Sequence, residues 1–347
     1  MRMARRTTRP LSTKIAAMSE APAAVGGAAG RARRAFRPSL PNKTRPQRAG
    51  RAAVKPFGVA GRRKALNALF VAPYFIVFLL LLVLPLGLGM WLSLQDYDML
   101  GGYAGSVGVD NYVALFDDKI FLRAVFNTFY FVALTTPAFV ALGLFLALAL
   151  NDTYRRSAVL RSIFFGSSVL SVTIVTLVWR LVYMPERGLL ANVTNLLGLE
   201  PVNFMTSETL AMPGIAIVTV WWIIGLPMML FLAALQQIPR EIYEAAALDN
   251  ASRWRTLTRV TLPSIRRTIV LVAVIEVILQ FQLFGQVHLI TNGGPNNATR
   301  PIVMFIYEAG FRDWKLGYAA AASQVLFVVM LVATLIQIWI GRSRQEG

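Results

Sequence analysis

One acidic side chain stands well inside a long apolar run. Glu276 lies in the stretch 268–290, with Gln280 four residues on, a spacing that puts both on one helix face. A carboxylate at membrane depth is costly, so its position is read first as functional. Gln282 and Gln286 would form a second polar stripe about 160° away, at 100° per residue. A sugar needs hydroxyl partners and aromatic platforms. Trp221, Trp222 and Phe281 therefore join Glu276 and Gln280 as candidates for a polar solute path. Hydrogen bonding between helices explains buried Gln equally well, and a Trp can equally face lipid or core. Catalytic chemistry has no comparable set. There is no cysteine and a single histidine, His288, so thiol nucleophiles, disulfides and His- or Cys-rich metal sites are excluded. His288 reads as a local hydrogen-bonding residue rather than a proton relay. The apolar runs hold no paired carboxylate or nucleophile motif, and no Gly-x4-Gly-Lys-[Ser/Thr] phosphate loop occurs anywhere. No catalytic residue and no metal ligand is assigned.

The elements that would hold these residues are membrane helices. Of 347 residues, 56% are hydrophobic and 15% charged, against about 25% charged in soluble domains. A bilayer core needs about 20 apolar residues in a helix. Six segments qualify: 67–92, 124–150, 162–183, 209–235, 268–290 and 317–341. Pro73, Pro85, Pro137 and Pro227 fall inside them and are tolerated because neighbouring groups re-satisfy the freed carbonyls. The expected class is all-α, a polytopic membrane protein with six transmembrane helices over residues 65–347.

Charge sets the expected direction. The net charge of +18 is concentrated in residues 1–64, which hold 17 Lys/Arg and one acid; the remainder is close to neutral. This stretch is rich in Arg, Ala, Pro and Gly, lacks apolar periodicity, and is expected to be a disordered basic tail. No apolar core follows its positive start in the way a cleavable signal peptide requires. Loops 151–161, 236–267 and 342–347 hold 11 Lys/Arg and five acids, and loops 93–123, 184–208 and 291–316 hold six Lys/Arg and ten acids. The positive-inside rule then places both termini in the cytoplasm. The tail reads mainly as an orienting segment; a nucleic-acid-binding role is disfavoured by the six spans.

The basic side includes the most informative loop, 236–267. Pro239 suits the first turn of a helix, and Glu241 and Glu244 lie near its positive end. Asp249-Asn250 offers a stop, since Asn tolerates a left-handed cap. Ser252 caps a second short helix over 252–260, and Pro263 leads into the fifth span. The expected element is a helix–turn–helix flat on the cytoplasmic face, with Tyr243, Ala246, Ala247 and Trp254 as apolar docking surface.

These residues resemble the EAA signature of ABC importer permeases: Glu-Ala-Ala, three residues, Gly, nine residues, Ile, one residue, Leu-Pro. Glu244-Ala245-Ala246 is followed at matching spacing by Asn250 in the Gly position, Val260 in the Ile position, and Leu262-Pro263. Asn250 for Gly keeps a residue suited to positive φ. Thr291-Asn-Gly-Gly-Pro295 with Ala298-Thr299 resembles the outer loop after the fifth span in sugar-type permeases. Phe311 with Gly317-Tyr-Ala-Ala-Ala321 resembles the start of their last span. Gly108-Val-Asp-Asn111-Tyr112 and Asn127-Thr128 resemble the approach to the second. The similarity covers about residues 66–342 and is greatest to the carbohydrate-uptake branch, in the manner of the maltose-permease first component.

The resemblance implies the type I importer fold and a defined set of partners. These are a second permease subunit in a heterodimer, two ATPase subunits that bind ATP and Mg, an extracytoplasmic solute-binding protein, and the lipid of a bacterial inner membrane. No cofactor is expected on this chain, and it is not expected to be an enzyme. The ATPase-coupling residues implied are Glu241, Tyr243, Glu244, Ala245, Ala246, Asp249, Asn250, Leu262 and Pro263. A secondary transporter or channel without an ATPase is the competing class; it would show several midplane ionisable residues or internal repeats.

Overall fold

A computed structural model describes the backbone of residues 59–343 except Thr153, with side chains from residue 69 to 341. Most of the basic segment 1–64 therefore lies outside the described residues, although Val59–Lys64 already belong to a helix. That helix, α1 (Val59–Phe78), runs through a π turn at Leu79–Val83 into α2 (Leu84–Leu92). A hairpin of β1 (Gln95–Asp98) and β2 (Gly102–Ser106) follows, antiparallel and bulged between Asp96 and Tyr97. It is the one departure from an all-α fold among the described residues. Then come α3 (Asp110–Asp117) and α4 (Lys119–Ala149).

α4 is the axis of the core. Phe121, Phe131 and Phe139 on it are fully buried, and the helices Ala211–Ile223, Gly225–Gln236 and Arg266–Phe281 pack around it. It starts five residues before the expected 124, because Asp118 caps it by accepting from the Ile120 and Phe121 N–H groups.

The next two expected spans are bent. The segment 162–183 is not one helix: α5 (Arg155–Ser167) and α6 (Val172–Tyr183) meet at 95°. Four residues between them leave the helix, and Ser171 restarts it by accepting from Ile174 N–H. After α7 (Leu189–Leu196), α8 (Ala211–Ile223) and α9 (Gly225–Gln236) bend by 48° at Ile224. Pro227 lacks the N–H that would bond the carbonyl of Ile223, and its ring crowds that carbonyl.

The two bends dock on each other. Ser167 and Ser168 hydroxyls donate to the Trp222 carbonyl at 3.0 and 3.2 Å, and the Trp222 indole N–H donates to the Leu170 carbonyl at 3.1 Å. Polar backbone freed by each bend is thus satisfied by the other, as burial in a membrane protein requires. Gly225 makes the approach possible: a Cβ there would strike the Phe164 carbonyl and lie 2.6 Å from Phe165 Cα.

The loop 236–267 folds as α10 (Arg240–Leu248), α11 (Arg253–Thr256), a π turn (Leu257–Thr261) and α12 (Leu262–Ser264). The expected fifth span, 268–290, breaks in two: α13 (Arg266–Phe281) ends on tight turns, and α14 (Gly285–Ile290) restarts against α6. Then come α15 (Ile302–Tyr307), a π turn (Glu308–Arg312) and α16 (Leu316–Ser343).

Among the described residues three unbroken helices are long and apolar enough to cross a bilayer: Leu69–Leu92, Lys119–Ala149 and Leu316–Gly341. Counting each bent pair as one span gives five. The expected count of six falls short at 268–290, where the unbroken α13 has only 16 residues. Hydropathy reads the average polarity of a window; a break satisfied by tertiary hydrogen bonds leaves that average unchanged.

Candidate functional site

The loop before α13 is shaped by its own caps. α10 begins after Pro239, with Glu241 in its first turn. It ends on Asn250 at φ 51°. The Asn250 N–H donates to the Ala247 carbonyl and the Ala251 N–H to the Ala246 carbonyl, both at 3.0 Å. This is the Schellman pattern, with Asn in the left-handed position. Ser252 then caps α11 by accepting from Arg255 N–H at 3.3 Å. The helix continues through the π turn into Leu262-Pro263, and α13 starts at Arg266, two residues before the expected 268.

The two faces of α10 differ. Ala246 is buried, and the Tyr243 hydroxyl lies 3.4 Å from Thr261 Oγ1 on the following π turn. Glu241, Glu244, Ala245, Ala247 and Asp249 are exposed. Large apolar side chains stand beside them: Leu248 is 85% and Trp254 71% exposed, and Ile242 is also exposed. Ala247 and Trp254 thus lie on the open side of the docking surface, and Tyr243 and Ala246 on its anchored side. Sequence reasoning does not single out Ile242 and Leu248, although both are exposed apolar positions on this helix.

Glu276 and Gln280 are 1% and 3% exposed, and the Gln280 amide donates to Glu276 Oε2 at 3.0 Å. Their shared face is therefore real. The second stripe is not: Gln282 falls in the break after α13 and Gln286 on α14, so no common helix aligns them. The tryptophans make contacts of their own. Trp222 is tied to the bend at Leu170, and Trp221 packs edge-on against Trp179 at 5.5 Å beside an apolar groove lined by Leu142 and Phe145. Phe281 is buried edge-on against Phe129. His288 makes a different contact from the hydrogen bond expected of it. Its ring stacks on Phe284 at 5.2 Å and meets Tyr307 edge-on, and Nδ1 is buried without a hydrogen-bond partner.

A third cluster joins segments distant in sequence. Asn127 on α4 donates to the carbonyls of Asn297 and Arg300 at 2.7 and 2.9 Å, and Thr128 accepts from Ile302 N–H at 2.9 Å. Thr299 is fully buried and bonds Thr291 and the Gly294 carbonyl. Asn111 donates to the carbonyls of Ser93 and Gln95, and Gly317 packs its Cα on that Gln95 carbonyl. The four motif fragments noted along the chain thus meet at one end of the molecule.

Residues 112–345 match the family described as binding-protein-dependent transport system inner membrane component. The chain belongs to this family. It is a permease subunit of an ATP-binding-cassette importer, and an inner membrane component. The permease is 32% identical over 285 residues to the diacetylchitobiose uptake system permease protein NgcF of Streptomyces coelicolor, covering 78% of this chain and 80% of that one. It is 31% identical over 277 residues to the sn-glycerol-3-phosphate transport system permease protein UgpA of Salmonella typhimurium, covering 80% and 94%. A chain of a bacterial ABC transporter that imports the acidic polysaccharide alginate superposes with a TM-score of 0.72 at 27% identity, over 81% of the permease and 96% of that chain. A bacterial alginate ABC transporter in complex with an alginate pentasaccharide-bound periplasmic protein matches with the same TM-score and identity.

Proposed function

We propose that the permease moves a sugar or related polyol across the inner membrane by alternating access, with α10 receiving force from a partner ATPase. The observation that carries this reading is the division of α10. Its inner side is anchored through Ala246 and Tyr243, while Glu241, Glu244, Ala245 and Leu248 are left open. An element tied at Thr261 to the segment that leads into α13, and bare on the other side, can pass a push to that helix. Asp249 and Asn250 close α10, and Leu262-Pro263 carry the chain on toward α13. The charge bias of the loops supports a cytoplasmic position for this element and for both termini. ATP and Mg would then reside on two partner ATPases, a second permease subunit would complete a heterodimer, and an extracytoplasmic binding protein would deliver solute.

The substrate class rests on relatives that carry diacetylchitobiose, glycerol phosphate and alginate. Within the permease, the Glu276–Gln280 pair is the part of the path we put forward, because solute hydroxyls can exchange with that hydrogen bond. Trp221 and Trp222 are less suited, since their rings are already engaged.

In a strain lacking the chromosomal copy, Glu244→Lys should reduce uptake of radiolabelled oligosaccharides and polyols to background. The variant should remain in the membrane fraction and no longer co-purify with an ATPase. Normal uptake by Glu244→Lys would refute the coupling role. Proton-driven uptake by this chain alone would favour a secondary transporter.

A further inference from the structure

A groove of about 550 Å³ opens between α13 and α16, beside the loop that contains α10. Its walls are apolar, with Leu262, Ile269, Val270 and Ala273 among them. Its polar side chains are Thr258, whose hydroxyl donates to the Trp254 carbonyl, and Arg266 and Gln337, each of which has a buried atom with no hydrogen-bond partner: Arg266 Nη2 and Gln337 Oε1. The other end of the Gln337 amide donates to the Ala273 carbonyl at 3.5 Å, and Oε1 is left unpaired. At the end of the groove α16 crosses close to α13, with a Gly341 Cβ position only 2.8 Å from Val270 Cγ1.

The site is asymmetric in a way that selects a ligand. Arg266 stands in the first turn of α13, where the helix dipole disfavours a cation. An anion held there meets both the guanidinium and the dipole. The surroundings have one sign: residues 250–275 hold five arginines and no acid. A small free anion would leave the apolar walls wetted, whereas an acyl chain would cover them. Gln337 Oε1 in turn asks for a donor beside the anion, which a headgroup hydroxyl supplies.

We propose that this groove seats an anionic phospholipid of the phosphatidylglycerol class. Its phosphate accepts from Arg266, a headgroup hydroxyl donates to Gln337 Oε1, and an acyl chain lies along Val270 and Ala273. Because Leu262 and Pro263 form part of the wall, the lipid braces the junction between the α10 loop and α13. The inference rests on the membrane-spanning reading and on the cytoplasmic placement of the loop, but not on ATPase coupling.

The test is native mass spectrometry of the full chain released from mixed micelles of dioleoyl-phosphatidylglycerol and dioleoyl-phosphatidylcholine. Wild type should retain one phosphatidylglycerol about tenfold over phosphatidylcholine, the scale of one charge-assisted hydrogen bond. Arg266→Gln should lose that preference, and Arg267→Gln, at an exposed neighbour, should keep it. Should Arg266→Gln not fold, Gln337→Leu and the wild-type preference carry the test. Equal retention of the two lipids by wild type, full retention by both groove variants, or displacement of the lipid by inorganic phosphate would overturn the proposal. Glu244→Lys should still retain phosphatidylglycerol, so failure of the coupling reading would be seen separately.

Discussion

Asn250 does at one residue what the related signature does with glycine. A left-handed backbone costs an ordinary side chain about 1–2 kcal/mol, and Asn is among the few that adopt it readily. Asn250→Gly should leave the melting temperature of the detergent-solubilised permease unchanged or slightly raised. Asn250→Val should lower stability by about 1–2 kcal/mol, because a β-branched residue fits that conformation worst. A thermal melt followed by size-exclusion chromatography distinguishes the two. Asn127 works through donors rather than backbone freedom. It is 2% exposed and serves two carbonyls of the 291–302 loop. Asn127→Leu strands both acceptors, at about 1–3 kcal/mol for each buried group left unpaired. The expected result is earlier proteolysis within 291–302, while the cut pattern elsewhere stays unchanged.

At the scale of elements, the bends matter more than the straight helices. Two π turns, Leu79–Val83 and Leu257–Thr261, each lie directly before a Leu-Pro pair, Leu84-Pro85 and Leu262-Pro263. The proline cannot close the bond to the carbonyl four residues back, and widening the turn absorbs the mismatch. The α5–α6 and α8–α9 bends depend instead on close approach. Gly225→Ala would push a methyl into backbone at Phe164 and Phe165, and neither can move alone. Overpacking of this kind costs about 1–3 kcal/mol. Gly166→Ala, a few residues along α5 with open space at its Cβ, should be neutral or slightly stabilising. If the two variants melt together, the docking of the bends is not what holds this region.

For the whole molecule, the decisive question is which end faces the cytoplasm. The absence of native cysteine makes it directly measurable. Leu100→Cys, at the exposed tip of the hairpin, should react with a membrane-impermeant maleimide in intact spheroplasts. Asn151→Cys, exposed between α4 and α5, should react only after permeabilisation. The reverse pattern would invert the topology and move α10 away from any ATPase.

Membrane residence, the basic segment, the all-α class and the helical loop at 240–264 were legible from residue types and spacing. Each depends on composition or on interactions within a few residues: apolar length, loop charge, a Ser cap, an Asn in a left-handed stop. The partnership of Glu276 with Gln280 was legible for the same reason, being one helical turn. The bends were not, because the serines at 167 and 168 meet the Trp222 carbonyl 55 and 54 residues away. Nor was the clamp of Asn127 on a loop 170 residues on, nor the hydrogen bond from the Trp222 indole to the Leu170 carbonyl. Local chemistry decides whether a segment is apolar and where a helix starts. Only tertiary contact decides whether freed backbone groups find partners, and so where a helix inside a membrane is allowed to break.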